Sequence, residues 1–211
     1  MTELVFILDR SGSMAGLENE TVGGFNAMME KQKKEEGKVL ITTAFFNYST
    51  VFIHHRVPLE HMQPLTEKDY YVGGGTALLD AVGNTLAEVE TAQKNDAELP
   101  KKTLFVIITD GEENASCHYT YHAIKRKIKQ KKEEGWDFLF LGANTDAVAT
   151  AQQFGIDEQF AASYHSDAGG TRRNYEALEK VVEACCEKAE HFNLSYDWKD
   201  EIEAYAKQAK T

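Results

Sequence analysis

Two uninterrupted apolar runs, Leu4 to Leu8 and Leu104 to Ile108, constrain the fold more than any other feature of the chain. A strand that is apolar at every position is buried on both faces, which is the situation of a parallel sheet covered by helices. The two runs also end alike. The first passes directly into Asp9-Arg10-Ser11-Gly12-Ser13 and the second into Thr109-Asp110-Gly111, so each buried strand delivers side-chain oxygens to a loop. A third stretch, Gly73-Gly74-Gly75-Thr76, is a flexible run ending in a hydroxyl and followed by the helix-like Ala77 to Ala92.

Open parallel sheets bind ligands beyond the carboxyl ends of their strands, where the strand order reverses. Asp9, Ser11, Ser13, Thr76 and Asp110 all fall just past strands or at helix starts, so their oxygens are expected to converge on one sheet edge. The set is hard and oxygen-only, with no Cys or His close by in sequence, which favours Mg²⁺ or Mn²⁺ over Zn²⁺.

The rest of the chain reads as strand, helix, strand pair, helix, strand, helix, strand, helix. Val39 to Phe46 and Val51 to Arg56 flank the short turn Asn47 to Thr50 and form a hairpin, which makes one edge strand antiparallel. Asp137 to Leu141 is the next strand, Asn144 to Phe154 the helix after it, and Phe160 to Tyr164 a last short strand. The segment Gln32 to Gly37 recurs as Gln130 to Gly135, a reused helix ending with glycine at a left-handed cap. Gly23-Gly24 inside the first helix marks either close backbone packing or a bend. The expected architecture is therefore α/β, Rossmann-like and doubly wound, with a mostly parallel central sheet, one antiparallel edge strand and helices on both faces.

In their order and at these junctions, Asp9-x-Ser11-x-Ser13, Thr76 and Asp110 resemble the metal-ion-dependent adhesion site of von Willebrand factor A domains, the fold also of integrin I domains. The likeness runs from Leu4 to about Phe160 and is of the intracellular type. It implies that Ser11, Ser13 and Thr76 give hydroxyl ligands to the cation, while Asp9 and Asp110 act through water. Neutral ligands leave the metal's charge poorly cancelled, so a partner's Asp or Glu completes the octahedron in a charge-assisted contact. The implied function is a cation-dependent protein-binding module; family members of this type work beside ATP-driven machines or in stress-linked complexes.

Two stretches at the same edge are candidate rim contacts for such a partner: Glu112 and Glu113 after Asp110, and Asn144 and Asp146 after the following strand. Asn144 or Thr145 could instead simply cap a helix.

Catalysis is the rival reading. A phosphohydrolase of the haloacid dehalogenase type also opens on a strand ending in Asp, but it needs a second acid two residues on, where this chain has Ser11. Gly73-Gly74-Gly75-Thr76 lacks the lysine and spacing of a nucleotide P-loop. The expectation is thus a non-enzyme, with a Mg²⁺-dependent phosphohydrolase, or a structural subunit with a vestigial metal site, as alternatives.

The composition bounds partners and compartment. The formal net charge of −11 over 211 residues disfavours nucleic acid and anionic membranes. Three cysteines, Cys117, Cys185 and Cys186, suggest no disulfide framework, and Leu4 to Leu8 is too short for a signal peptide or span, so a cytoplasmic protein is expected. Cys117, His118 and His122 have a spacing that can grip Zn²⁺, but the general-base Glu of a His-Glu-x-x-His site is missing and a surface pair is the plainer reading. His54 and His55, adjacent on a strand, face opposite sides. Lys125 to Lys132 is read as the solvated face of a helix. Beyond a domain over residues 1–195, Trp198, Ile202, Tyr205 and Ala209 make one apolar face of a helix starting near Asp197, either packed on the domain or used for a partner.

Overall fold

The computed structural model describes residues 1–143, 146–186, 194 and 196–209. The strands are β1 (Thr2–Asp9), β2 (Val39–Phe46), β3 (Thr50–Pro58), β4 (Lys102–Thr109), β5 (Trp136–Ala143) and β6 (Ala161–Tyr164). The helices are α1 (Glu18–Gln32), α2 (Leu78–Lys94), α3 (Tyr121–Glu133), α4 (Ala147–Phe154), α5 (Ala168–Cys186) and α6 (Asp200–Gln208). The sheet order is β3-β2-β1-β4-β5-β6. β3 is antiparallel to β2, and every other pairing is parallel. The fold is therefore the mostly parallel, doubly wound α/β architecture read from the apolar runs.

Alternation along the buried β1 divides the core in two. Leu4, Phe6 and Leu8 face α1, α5 and α6, with Phe25, Leu178 and Ile202 among the contacts. Val5 and Ile7 face α2, α3 and α4, meeting Val82, Ile124 and Phe154 among others. Burying both faces of the central strands removes their apolar side chains from water at roughly 25 cal/mol per Å². Among the described residues, no helix is long and apolar enough to cross a membrane.

Four local details differ from the sequence reading. β3 runs on to Pro58 through register shifts near Thr43, and Arg56 adopts φ 49°. Bulges re-aim side chains, and here Arg56 Nε reaches the fully buried Glu3 at 2.9 Å. Of the repeated helix endings, only Gly135 (φ 88°) follows its helix closely; α1 stops at Gln32 and continues through turn bonds from Lys34 and Glu35 before Gly37. α4 begins at Ala147, with Asp146 as its cap; Asn144 and Thr145 lie outside the described residues. The last helix begins at Asp200 after a short 3₁₀ turn, and its buried face is carried by Trp198, Ile202 and Ala206, while Ala209 is exposed.

The glycine pair in α1 separates into two roles. A Cβ on Gly24 would lie 2.5 Å from the ring of the buried Tyr175 in α5, whereas one on Gly23 would meet nothing within 4 Å. Gly24 thus makes room for the Tyr175 ring where α1 packs on α5. Gly23→Ala is expected to stabilise the protein by about 0.5–1 kcal/mol through helix propensity. Gly24→Ala is expected to cost about 1–3 kcal/mol through overpacking. Thermal unfolding reads both, at about 2–4 °C per kcal/mol for a chain of this size; shifts of equal sign would contradict the assignment.

Candidate metal centre

The strand order reverses between β1 and β4, and the two strands run in parallel register with Leu8 opposite Ile108. Asp9 and Thr109, the last residues of those strands, therefore end side by side. The Thr109 hydroxyl donates to Asp9 Oδ2 at 2.6 Å, and the Ser11 amide donates to Asp9 Oδ1 at 2.7 Å. Both oxygens of a carboxylate that is 1% exposed are thus engaged. The Tyr70 hydroxyl, also buried, donates to the Asp9 carbonyl and fixes the strand end from below.

From Asp9 the chain turns through a 3₁₀ segment, Gly12–Met14, which sets Ser11 Oγ 3.1 Å from Ser13 Oγ. The Ser13 hydroxyl donates to Asp110 Oδ1 at 2.5 Å, closing the loop after β1 onto the loop after β4. Thr76 arrives from a third direction. A Cβ on Gly111 would lie 2.9 Å from Thr76 Oγ1 and 3.3 Å from Ser13 Oγ, so the bare glycine leaves the space in which these hydroxyls meet. The five oxygen-bearing residues expected to converge are brought together. Asp9, Ser11, Thr76 and Asp110 are buried, while Ser13 is exposed and sits at the mouth.

The glycine-rich loop is anchored by backbone bonds. Gly12 N donates to Gly74 O at 3.0 Å and Gly73 N to Arg10 O at 2.9 Å. Gly73 and Gly74 hold φ values of 158° and 87°, the latter in a region that L side chains seldom adopt. Asn114 locks the other flank: its Oδ1 accepts from Thr76 N at 2.9 Å, and its amide donates to Thr76 O at 3.1 Å.

Burial pushes the Asp9 carboxyl up to about 6; hydrogen bonds from Thr109 and Ser11 pull it down, and the neighbouring Asp110 charge adds to the rise. Burial without an opposite charge beside it is what raises a carboxyl in this way, and a bound cation would lower it again. Among the described residues, no three His, Cys, Asp or Glu side chains gather as a metal cluster. A metal at this edge would therefore be held by hydroxyls with two carboxylates behind them, a donor set that fits a hard divalent ion.

The candidate rim residues have diverse placements. Glu112 is exposed on the loop after β4. Glu113 is instead committed to structure: its carboxylate accepts from Leu79 N at the start of α2 and from Ala115 N, Ser116 N and Ser116 Oγ. Asp146 caps α4, accepting from Ala149 N at 3.0 Å. Asn144 lies outside the described residues.

Sequence reasoning missed Thr109, Tyr70 and Ser166. Thr109 directly precedes Asp110 and was open to notice. Ser166 donates to Asp110 Oδ2 at 3.0 Å from the loop after β6, and only its place at a strand end on the same edge hinted at this. Elsewhere, His54 is buried between Thr43 and Gln63, His55 faces out to Glu88, and Cys117, His118 and His122 are exposed.

The chain can now be set beside known proteins. The model of the family described as VWA domain containing CoxE-like protein matches residues 1–150 of the 211. No curated protein sequence matches the chain. Among solved structures, proximal thread matrix protein 1 from the mussel byssus superposes with a TM-score of 0.61 at 15% identity, over 88% of this chain and 46% of that one. Another structure of that mussel protein has a zinc-occupied MIDAS motif, with a TM-score of 0.58 at 14% identity over 86% of this chain and 45% of that one. A von Willebrand factor type A protein from Catenulispora acidiphila gives 0.59 at 12% identity, over 87% of this chain and 42% of that one. The chain thus spans less than half the length of these proteins, and at such identities the likeness is one of fold. With the family model covering well over half of its residues, the chain belongs to the family of VWA domain containing CoxE-like proteins.

Proposed function

We propose that the protein is a divalent-cation-dependent protein-binding module, in which a metal held by Ser11, Ser13 and Thr76, with Asp9 and Asp110 behind them, captures an acidic side chain of a partner. The observation that carries this reading is the meeting of the Ser13, Thr76 and Asp110 oxygens, from three separate loops, around the open face of Gly111. Mg²⁺ or Mn²⁺ suits the donors, since both prefer oxygen ligands. The metal would supply a strong positive charge directed at the loop mouth. The chain's own residues do the rest: the hydroxyls orient without neutralising, and the buried carboxylates polarise them. A zinc-occupied site of this type in the mussel protein supports the reading by analogy.

Binding is favoured over hydrolysis because Ser11 occupies the position where a second acid would serve as general acid. A cytoplasmic location is part of this reading, and the three cysteines form no disulfide with one another.

Calorimetric titration tests the metal. Wild type is expected to bind Mg²⁺ or Mn²⁺ at or below millimolar levels, and the double variant Ser11→Ala/Ser13→Ala to bind neither; absence of binding by wild type would overturn the reading. The pH dependence has a defined sign. Asp9 takes up a proton as pH falls through about 6, and a cation must then displace it. Affinity should therefore weaken below pH 6, approaching about tenfold per unit for one coupled proton. In the metal-free protein the ionised form is the disfavoured one in the fold, so stability is lost as pH climbs from about 4 to about 6. Asp9→Asn should accordingly raise the metal-free melting temperature at pH 7.5 and abolish the gain that Mg²⁺ gives wild type, which is about 2.7 kcal/mol at a hundred times Kd.

A further inference from the structure

Among the described residues, the large hydrophobic side chains open to solvent are Tyr48, Val51, Tyr71 and Leu99, and both tyrosines lie against the loops of the metal centre. Scattered exposed side chains need no explanation. These two differ because each ring rests on a residue of the metal-centre loops, Tyr48 on Gly74 and Gly75 and Tyr71 on Arg10.

Tyr48, 71% exposed, stands at the turn between β2 and β3. Its ring lies across Gly74 and Gly75: a Cβ on Gly74 would meet ring carbons at 2.8 and 2.9 Å, and one on Gly75 a ring carbon at 2.7 Å. Gly74 and Gly75 thus form the pad on which the ring rests, with no side chain of their own to lift it. The turn itself is held by Asn47, which donates to Gly73 O at 2.8 Å and accepts from Ala77 N at 2.9 Å. Tyr71, 60% exposed, covers the Arg10 guanidinium, which lies 4.2 Å from the ring centroid. Arg10 is 2% exposed and stands between Asp9 and Ser11. An open groove of about 550 Å³, lined in part by Gly16, Glu18, Glu67 and Tyr71, continues from this side.

We propose that Tyr48 and Tyr71 are preorganised apolar anchors of the binding surface, and that the partner is an extended segment presenting one carboxylate between aliphatic or aromatic neighbours; this rests on the metal-bridged reading above. Fixed tyrosines offer large contact area at low entropic cost, which is why they recur at binding hot spots. Arg10 already engages the inner face of the Tyr71 ring, so the outer face is a poorer seat for a second cation. Glu18 and Glu67 line the groove, Glu112 is exposed on the loop after Asp110, and the chain carries a net charge of −11. A second acid beside the first is repelled, which selects a lone carboxylate over an acidic run.

The test is binding of four synthetic peptides, with Leu-Asp-Leu, Ser-Asp-Ser, Lys-Asp-Lys or Asp-Asp-Asp between glycines, to the full chain in Mg²⁺ and in EDTA. Mg²⁺ alone is titrated into every variant. In Mg²⁺ the Leu-Asp-Leu peptide is expected to bind about tenfold tighter than each of the others. Tyr48→Ala should erase most of that preference when each variant is compared at saturating Mg²⁺, so that the metal titration separates any change in metal affinity from the loss of peptide contact. Tyr71→Ala uncovers Arg10 and should lose the leucine preference while gaining affinity for the acidic run. Equal binding of all four peptides, or a preference that survives in both variants, overturns the role of the tyrosines and leaves the metal bridge standing. Binding that is the same in EDTA, or no binding of any peptide to wild type saturated with Mg²⁺, overturns the metal bridge and this proposal with it.

Discussion

The hydrogen bond between the Thr109 hydroxyl and the Asp9 carboxylate joins the ends of the two central strands, and the site is arranged around it. It exists because β1 and β4 are neighbours in parallel register, which in turn follows from two apolar runs with no solvent face. The arrangement has a cost. A carboxylate with 1% exposure, raised to about 6 by burial, weakens the metal-free fold at neutral pH. A strand set buried on both faces supplies enough hydrophobic stabilisation to tolerate it, and the locally unfavourable group sits where a cation would reverse its sign.

The legible part of this molecule was whatever depends on short-range pattern. Five parallel strands, the hairpin around Asn47 to Thr50 and the convergence of Asp9, Ser11, Ser13, Thr76 and Asp110 follow from unbroken apolar runs and from loop residues directly after them. What was hidden depends on partners distant in sequence. Glu113 looked like a free rim acid, but the backbone amide of Leu79 at the start of α2, 34 residues away, claims it together with Ala115 and Ser116 of its own loop. Ser166 bonds Asp110 across 56 residues. The repeated Gln-Lys-Lys-Glu-Glu-Gly segment ends its two helices differently because cap geometry responds to local packing and not to the hexapeptide alone. Near the carboxyl end, Ala206 and not Ala209 completes the buried face, since a helix that starts at Asp200 presents a slightly rotated stripe.

Fold likeness at 12–15% identity to a byssus protein and to a von Willebrand factor type A protein from Catenulispora acidiphila shows which constraints are shared. Layer architecture depends on which positions are buried and where strand order reverses, and many sequences meet those terms. Recognition depends on a few side chains at the edge, and those have to be read in this chain itself. Here they divide by character. Hydroxyls and carboxylates lie within the pit, and the rings of Tyr48 and Tyr71 lie on its shoulders, so the proposed metal contact and the proposed apolar contacts fall on different residues.

Asn47 binds the tip of the antiparallel hairpin to Gly73 through its side-chain amide and to Ala77, the residue before α2, through its backbone carbonyl, so one residue ties the hairpin to both ends of the loop carrying Thr76. Surface turns between antiparallel strands are ordinarily where a lineage can add or remove residues freely. In this protein that liberty is withdrawn at residues 47–50: a longer turn would unseat the loop carrying Thr76. Diversification of the edge is thereby channelled toward the exposed faces of Tyr48 and Tyr71, where side chains can be exchanged without disturbing the pit beneath.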